Sequence, residues 1–378
     1  MGGTDMKKHY EDLSTPARLL LGPGPSNVPD RVTKAMTCPV IGHLDPVFLA
    51  IMEEVQDMLR EVFMTENRLT LPVSGTGSAG MEAALVNSIE PGDPVLVCVN
   101  GVFGTRMCDI VERCGGVLRK VEAEWGRPID PGQVRDALED FDARVVAVVH
   151  AETSTGVLQP LEELSSIVHE KDALFLVDTV TSLSGAPVKV DDWDIDVCYS
   201  GTQKCLNCPP GLAPITFSPR AVEKLDKRST PVRSWYLDMS MVQKYWGSDR
   251  VYHHTAPISM VYALREALRI VLEEGLEERW ERHLKYNREL VRGLEEMGLR
   301  MLVEERFRTP MVLSVIVPDS IDDDAVRKRL LDEFNTEIAS GLGPLKGKIW
   351  RIGIMGISCR EEIVQHILSS MKAALFRQ

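Results

Sequence analysis

Apolar residues recur at Phe48, Ile51, Met52, Val55, Leu59 and Phe63, the spacing of one helix face, and predict a core-facing helix over 46–63. Helical patterning also covers 81–89, 161–171 and, most regularly, 259–274. Between these lie short, almost wholly apolar runs at 95–99, 144–149, 174–178 and 197–199. Such runs read as strands buried on both faces, and strands alternating with helices predict an α/β architecture around a mostly parallel sheet. Gly275 closes the long helix and marks a boundary. Beyond it come a helix over 277–297, an alternating strand at 312–317, a helix over 322–333, a strand at 348–354 and a last helix. These predict a smaller α+β domain. The expected division is an arm at 1–18, a large domain at 19–275 and a small C-terminal domain at 276–378.

The predicted strands end in polar turns, and in open α/β sheets ligands bind outside the C-terminal ends of the strands. The fullest turn, Ser200-Gly201-Thr202-Gln203-Lys204-Cys205-Leu206-Asn207-Cys208-Pro209-Pro210-Gly211, follows Val197-Cys198-Tyr199 and presents one lysine. A lysine whose proton affinity is lowered forms a Schiff base with pyridoxal 5′-phosphate, which makes Lys204 the candidate catalytic amine. Asp178 ends the strand before, 26 residues upstream. A carboxylate there keeps a pyridine nitrogen protonated and turns the ring into an electron sink.

Ser74-Gly75-Thr76-Gly77-Ser78-Ala79-Gly80 opens a predicted helix, and the unpaired N–H groups of a helix start, with the Thr76 and Ser78 hydroxyls beside them, suit a phosphate. The run also matches G-x-G-x-x-G at Gly75, Gly77 and Gly80, the fingerprint of an NAD-dependent oxidoreductase. That reading needs an acidic residue at the end of the next strand; Asn100 stands there, and Asp93 lies before the strand. A phosphate without a ribose fits better. Phe103, in a glycine-flanked run that reads as a loop, offers a flat face to an aromatic cofactor. Arg351 is set among Ile349, Trp350 and Ile352 in a predicted strand. A buried arginine needs a planar anion, either an internal carboxylate or the α-carboxylate of an amino acid.

The composition, 378 residues with 44% hydrophobic and 26% charged, supplies apolar material for two unequal domains. A formal charge of −13 and a pI near 5.2 speak against a broad nucleic-acid or anionic-membrane surface, and no run approaches a membrane span. Small molecules and copies of the chain are the expected partners. The first residues lack an apolar signal core and Phe376-Arg377-Gln378 is not the peroxisomal tripeptide, which predicts the cytoplasm and eight reduced cysteines. Cys205 and Cys208 form a C-x-x-C with no second pair, and His253 and His254 lack further ligands, so no metal site is predicted.

Together, Leu21-Gly22-Pro23-Gly24-Pro25-Ser26-Asn27, Ser74-Gly75-Thr76-Gly77, His150-Ala151-Glu152-Thr153-Ser154-Thr155-Gly156, Val177-Asp178, Gln203-Lys204, Tyr252-His253-His254-Thr255 and Trp350-Arg351-Ile352-Gly353 resemble the class V aminotransferases of fold type I. Within that family the likeness is to the alanine–glyoxylate and serine–pyruvate aminotransferases, from about Leu19 to the C-terminus.

The resemblance implies a fold type I pyridoxal-phosphate transferase in which Lys204 holds the cofactor and then moves the proton between the substrate α-carbon and the cofactor C4′. Asp178 would hold the pyridinium; Thr76, Gly77, Ser78 and Gln203 the phosphate; Thr153 the ring hydroxyl. Val180 would pack on the ring opposite Phe103, where family members often carry tryptophan. Tyr252 and Thr255 match residues that reach the phosphate of a neighbouring subunit, which implies a homodimer with shared sites. Arg351 would take the substrate carboxylate, with the loop from Gly24 to Asn27 as another wall.

The implied reaction moves the amino group of a small L-amino acid, alanine foremost, to glyoxylate in two half-reactions. Serine as donor or pyruvate as acceptor is the nearest alternative. A cysteine desulfurase would need a nucleophilic cysteine between Cys208 and Arg351, and none is there. Phosphoserine aminotransferase shares the Gln-Lys pair but not the Tyr-His-His-Thr run, and a cofactor-holding regulator would carry a basic DNA-binding module.

Overall fold

Seven strands form the main sheet, in the order Leu69–Ser74, Leu212–Phe217, Val197–Tyr199, Leu174–Asp178, Val145–Val149, Pro94–Val99 and Val117–Glu122. From Val197–Tyr199 to Val117–Glu122 every pairing is parallel. Leu212–Phe217, which the apolar pattern did not single out, is antiparallel to both its neighbours. A parallel return requires a long crossover, usually a helix. The 200–211 segment that carries Lys204 contains no helix, and the chain re-enters the sheet reversed. Three backbone bonds close that loop: Ser200 N–H to Pro214 C=O at 2.7 Å, Thr202 N–H to Leu212 C=O at 3.3 Å and Cys208 N–H to Thr202 C=O at 3.1 Å. The computed structural model describes residues 10–376, so residues 1–9 of the expected arm lie outside it; residues 10–18 form no helix or strand.

The helix Pro46–Phe63 begins where Asp45 accepts the Val47 N–H and Pro46 takes the first position, and it ends at Met64 with φ 53°. Phe48, Met52, Val55, Leu59 and Phe63 are buried along it, and it packs against Ile258–Glu274. The helix Gly77–Ser88 starts four residues before the apolar pattern does and is buried on most sides. It lies so close to the sheet that a Cβ at Gly80 would meet the Ala213 Cβ at 2.9 Å.

One expectation is corrected. Phe103 is not in a loop; it lies in the first turn of the helix Val102–Cys114. The orphan N–H groups of a helix start need acceptors, and here they come from far along the chain. Val102 N–H donates to Ser154 Oγ at 3.0 Å and Phe103 N–H to Glu152 Oε2 at 3.1 Å.

The smaller body is an antiparallel sheet in the order Arg300–Met301, Val312–Ile316, Ile349–Gly353, Ala339–Ser340, packed with the helices Leu276–Glu296, Asp323–Phe334 and Glu361–Phe376. It has its own core, which includes Leu290, Leu313, Val315, Trp350 and Ile367 and also takes in Leu21 from the N-terminal side. The short strand Leu19–Leu20 pairs in parallel with Thr336–Glu337. Where the bodies meet, Ala151, Ala186, Cys205, Met311, Val312 and Met355 form a third apolar cluster. Among the described residues no helix is long and apolar enough to cross a membrane.

Candidate active site

Lys204 sits at the meeting of the two bodies and is 8% exposed. Its Nζ donates to the Pro23 carbonyl, and its own carbonyl accepts from Ser26 Oγ at 2.6 Å and from the Asn207 N–H at 3.0 Å. Gly24 has φ 113°, and a Cβ there would come within 2.7–2.9 Å of Lys204 Cδ, Nζ and Cε. The residue beside the lysine therefore has to be glycine. Burial, reinforced by the positive charge of Arg351, lowers the Lys204 pKa from 10.5 to about 8. That leaves a usable fraction of free amine near neutral pH.

Asp178 and Tyr199 are register partners on adjacent parallel strands. The Tyr199 hydroxyl donates to Asp178 Oδ2 at 2.6 Å, and the Val180 N–H donates to Oδ1 at 2.8 Å. Burial raises the Asp178 pKa to about 6, against the lowering effect of those two donors. A cation placed against this carboxylate would return it toward its ionised form.

At the other end of the site the helix Gly77–Ser88 starts at Thr76 without a side-chain cap. A Cβ at Gly77 would touch Val180 Cγ2 at 3.4 Å and Gly201 Cα at 3.5 Å, which places the helix start against the lysine loop and Val180. Gln203 Oε1 is buried and has no hydrogen-bond partner. Arg106 Nη1 donates to Ser78 Oγ at 3.1 Å, and the guanidinium lies 5.0 Å from the centroid of the Phe103 ring. Thr153 is buried, and Val180 is half-buried.

Arg351 is 6% exposed, and burial pulls its pKa down to about 10. Its Nε donates to Ser340 C=O at 2.8 Å and its Nη1 to Thr153 C=O at 3.3 Å. Among the described residues no carboxylate pairs with it, so the internal salt bridge weighed from the sequence is not formed. The Asn27 side chain is engaged internally, with Leu20 N–H and C=O at 3.1 and 2.9 Å and with Ser358 Oγ at 2.7 Å. Tyr252 and Thr255 are exposed, while His254 between them bonds Ser74 Oγ through Nε2 at 2.7 Å.

Several residues here were not picked out from the sequence. Glu152 is fully buried and holds Ser154 N–H, Ser154 Oγ and Phe103 N–H, fixing the helix that carries Phe103 to the turn that carries Thr153. A Cβ at Gly101 would lie 2.4 Å from the Glu152 Cδ, so the carboxylate occupies the space that glycine leaves. Arg106 follows Phe103 by three residues, a spacing that becomes a contact only because the segment is helical; no signal in the sequence marked Tyr199 or Asn207. A separate groove of about 890 Å³, lined by Leu158, Ala186, Trp280 and Arg288 among others, shares none of these residues. No group of three or more metal-ligating side chains occurs among the described residues.

The set fits pyridoxal 5′-phosphate: a buried amine of lowered pKa, a buried carboxylate short of a cation, an uncapped helix start whose N–H groups can donate to a phosphate, and an aromatic face.

Comparison with known proteins gives a consistent picture. The family Aminotransferase class-V matches residues 19–363. An (S)-ureidoglycine–glyoxylate transaminase of Bacillus subtilis (strain 168) is 43% identical, over 97% of this chain and 92% of that protein. An alanine–glyoxylate aminotransferase of Oryctolagus cuniculus is 41% identical, over 96% and 94%. A crystal structure of an alanine–glyoxylate aminotransferase from Nostoc sp. superposes with a TM-score of 0.97 at 49% identity, covering 99% of both chains.

Proposed function

The chain belongs to the class-V aminotransferase family, and from that footing we propose that it passes the amino group of L-alanine to glyoxylate, giving pyruvate and glycine. It is an aminotransferase of fold type I, and its cofactor is pyridoxal 5′-phosphate. When bound, the cofactor supplies an electron sink for the bond that breaks at the substrate α-carbon.

The observation that carries the reading is the convergence of three buried groups: the Lys204 amine, the Asp178 carboxylate one strand over, and an Arg351 guanidinium without an acidic partner. Lys204 takes the proton from the α-carbon and delivers it in the return direction during the second half-reaction. Asp178 keeps the proton on the pyridine nitrogen. Thr76, Gly77, Ser78 and Gln203 would hold the phosphate and Thr153 the ring hydroxyl, with Phe103 and Val180 lining the ring. Arg351 orients the α-carboxylate against the backbone of the loop from Gly24 to Asn27. One site serving donor and acceptor in turn gives ping-pong kinetics.

Glyoxylate as acceptor is supported by both curated relatives, whose donors differ. The likeness to the Bacillus subtilis protein supports a second reading, with (S)-ureidoglycine as donor; L-serine is a third donor of similar size. We assign the active unit as a homodimer in which Tyr252 and Thr255 serve the partner's phosphate. An exposed patch of Trp235, Tyr236, Val251 and Tyr252 supports this. We propose the division into large and small domains at Gly275, where the helix Ile258–Glu274 ends; Leu21 packs across into the smaller core. The cytoplasm is the compartment we assign, in keeping with eight free cysteines, seven of them buried.

The test is the visible spectrum of the cofactor-loaded protein during separate additions of L-alanine, L-serine and (S)-ureidoglycine, each followed by glyoxylate. L-alanine should discharge the lysine-bound band fastest, and glyoxylate should restore it. Faster discharge by (S)-ureidoglycine moves the assignment to the second reading, and no discharge by any donor overturns both.

A further inference from the structure

We propose that Asn207 is a positioning residue for catalysis: its backbone N–H and carboxamide together tie the Lys204 peptide, the loop from Gly24 to Asn27 and the turn after Arg351 into one unit, and so set the separation between the amine and the carboxylate-binding walls. The proposal rests on the aminotransferase reading of Lys204 and Arg351 given above.

Asn207 is 1% exposed. A carboxamide offers two N–H donors and an oxygen with two lone pairs, and all of these are in use. Oδ1 accepts the Ile357 N–H at 2.9 Å and Arg279 Nη2 at 3.2 Å. Nδ2 faces Ser26 Oγ and Asn27 C=O, both at 3.1 Å, and Met355 C=O at 3.2 Å. Ser26 in turn donates to the Lys204 carbonyl at 2.6 Å, and the Asn207 N–H reaches the same carbonyl at 3.0 Å. These bonds make a closed ring through Lys204, Ser26 and Asn207.

The groups bonded to Asn207 come from separate stretches of chain. Ser26 and Asn27 are in the loop whose Pro23 carbonyl receives the Lys204 ammonium. Met355 and Ile357 follow the strand Ile349–Gly353, which contains Arg351. Arg279 is 1% exposed, also donates to Cys205 C=O at 2.6 Å, and pairs with Glu274. It brings the helix Leu276–Glu296 to the same point. His283 Nε2 accepts the Gly356 N–H at 2.9 Å from that helix as well.

Two backbone features show that the geometry is built for this contact. Asn207 has φ 53°, the left-handed region that asparagine tolerates better than most residues. Gly356 has φ 55°, and a Cβ there would lie 1.6 Å from Asn207 Oδ1. No side chain at 356 is compatible with the ring.

The test uses Asn207→Gly, which keeps the left-handed backbone and adds no charge, and Ser26→Ala, which opens the ring from its other side. Loaded full-length enzyme is assayed for kcat and KM with L-alanine and glyoxylate. The cofactor-free full chain is labelled with acetic anhydride across pH, and the labelling midpoint of Lys204 is read by peptide mass. Misplacing reacting groups by fractions of an ångström is costly, so kcat/KM should fall roughly tenfold or more in Asn207→Gly, with kcat and KM both affected. The labelling midpoint should rise from about 8 as the amine gains water. Ser26→Ala should move both readouts in the same direction by less, and it carries the test if Asn207→Gly does not fold. If kcat/KM per folded molecule stays within twofold of wild type and the midpoint does not move, the residue is structural only and the proposal is overturned. A wild-type chain that fails to transaminate sinks the aminotransferase reading instead, while the labelling arm still tests the lysine's positioning.

Discussion

The Tyr199 hydroxyl donates to Asp178 Oδ2 at 2.6 Å, between residues that are partners in the register of adjacent parallel strands. The bond makes the phenol a tuning group for the carboxylate proposed to face the cofactor nitrogen. Burial has already raised the Asp178 pKa to about 6, and Tyr199 restrains the rise. Cofactor affinity should therefore fall as pH drops through about 6, where the carboxylate takes up a proton. Tyr199→Phe should move that midpoint upward. Equilibrium cofactor titrations from pH 5 to 8 check this, and superimposable wild-type and Tyr199→Phe profiles would count against it.

Lys204 gives a prediction about stability as well as chemistry. Its folded pKa of about 8 lies below the ordinary 10.5, so the unfolded chain binds the extra proton between those values and stability rises with pH across that window. Below about 8 the folded chain carries the full cost of the buried ammonium. Replacing it by an apolar side chain of similar length, Lys204→Met, should stabilise the cofactor-free protein at pH 7 by roughly 3 kcal/mol at most, and the gain should shrink toward pH 10.5. Thermal unfolding at several pH values measures it. The same variant should lose transaminase activity by at least about a hundredfold.

Arg106 holds the anion end and the aromatic wall together, through Ser78 Oγ at 3.1 Å and the Phe103 ring at 5.0 Å. Arg106→Leu removes a hydrogen bond and a cation–π contact, each worth about 1 kcal/mol. Cofactor affinity should drop roughly tenfold, and added salt should weaken the wild type more than the variant. Fluorescence titration with the cofactor at two ionic strengths decides.

The proposed homodimer with shared sites predicts complementation. Lys204→Ala chains and Tyr252→Ala/Thr255→Ala chains should each be nearly inactive alone. In a mixed dimer, the Lys204→Ala chain supplies Tyr252 and Thr255 to a partner whose lysine is intact. Co-refolding equal amounts should restore activity to about a quarter of the wild-type sites, from random pairing of two chains. No recovery from a mixture shown to contain heterodimers would mean that each chain serves its own phosphate.

Periodicity located the elements because it reports which face of a segment is buried, and burial is a local property of the pattern. The helix over 46–63 ends at the residues the apolar spacing marks, and the apolar runs at 95–99, 174–178 and 197–199 are strands of the sheet. Phe103 shows the limit of this reading. Its helix is started by acceptors on Glu152 and Ser154, about fifty residues away, and no local pattern encodes an acceptor supplied from a distance.

By itself the sequence determined the alternation of strands and helices and the turns at the strand ends, and it singled out Lys204, Asp178 and Arg351 as candidates, because each of these depends on residue type and short-range spacing. Only the tertiary structure decided the rest. Strand register set Tyr199 on Asp178, the packing of two bodies brought Arg351 to Thr153 without a salt bridge to a carboxylate, and a left-handed Asn207 met a glycine 149 residues further on. Those relationships depend on distances between segments far apart in the chain, which are fixed only when the cores pack.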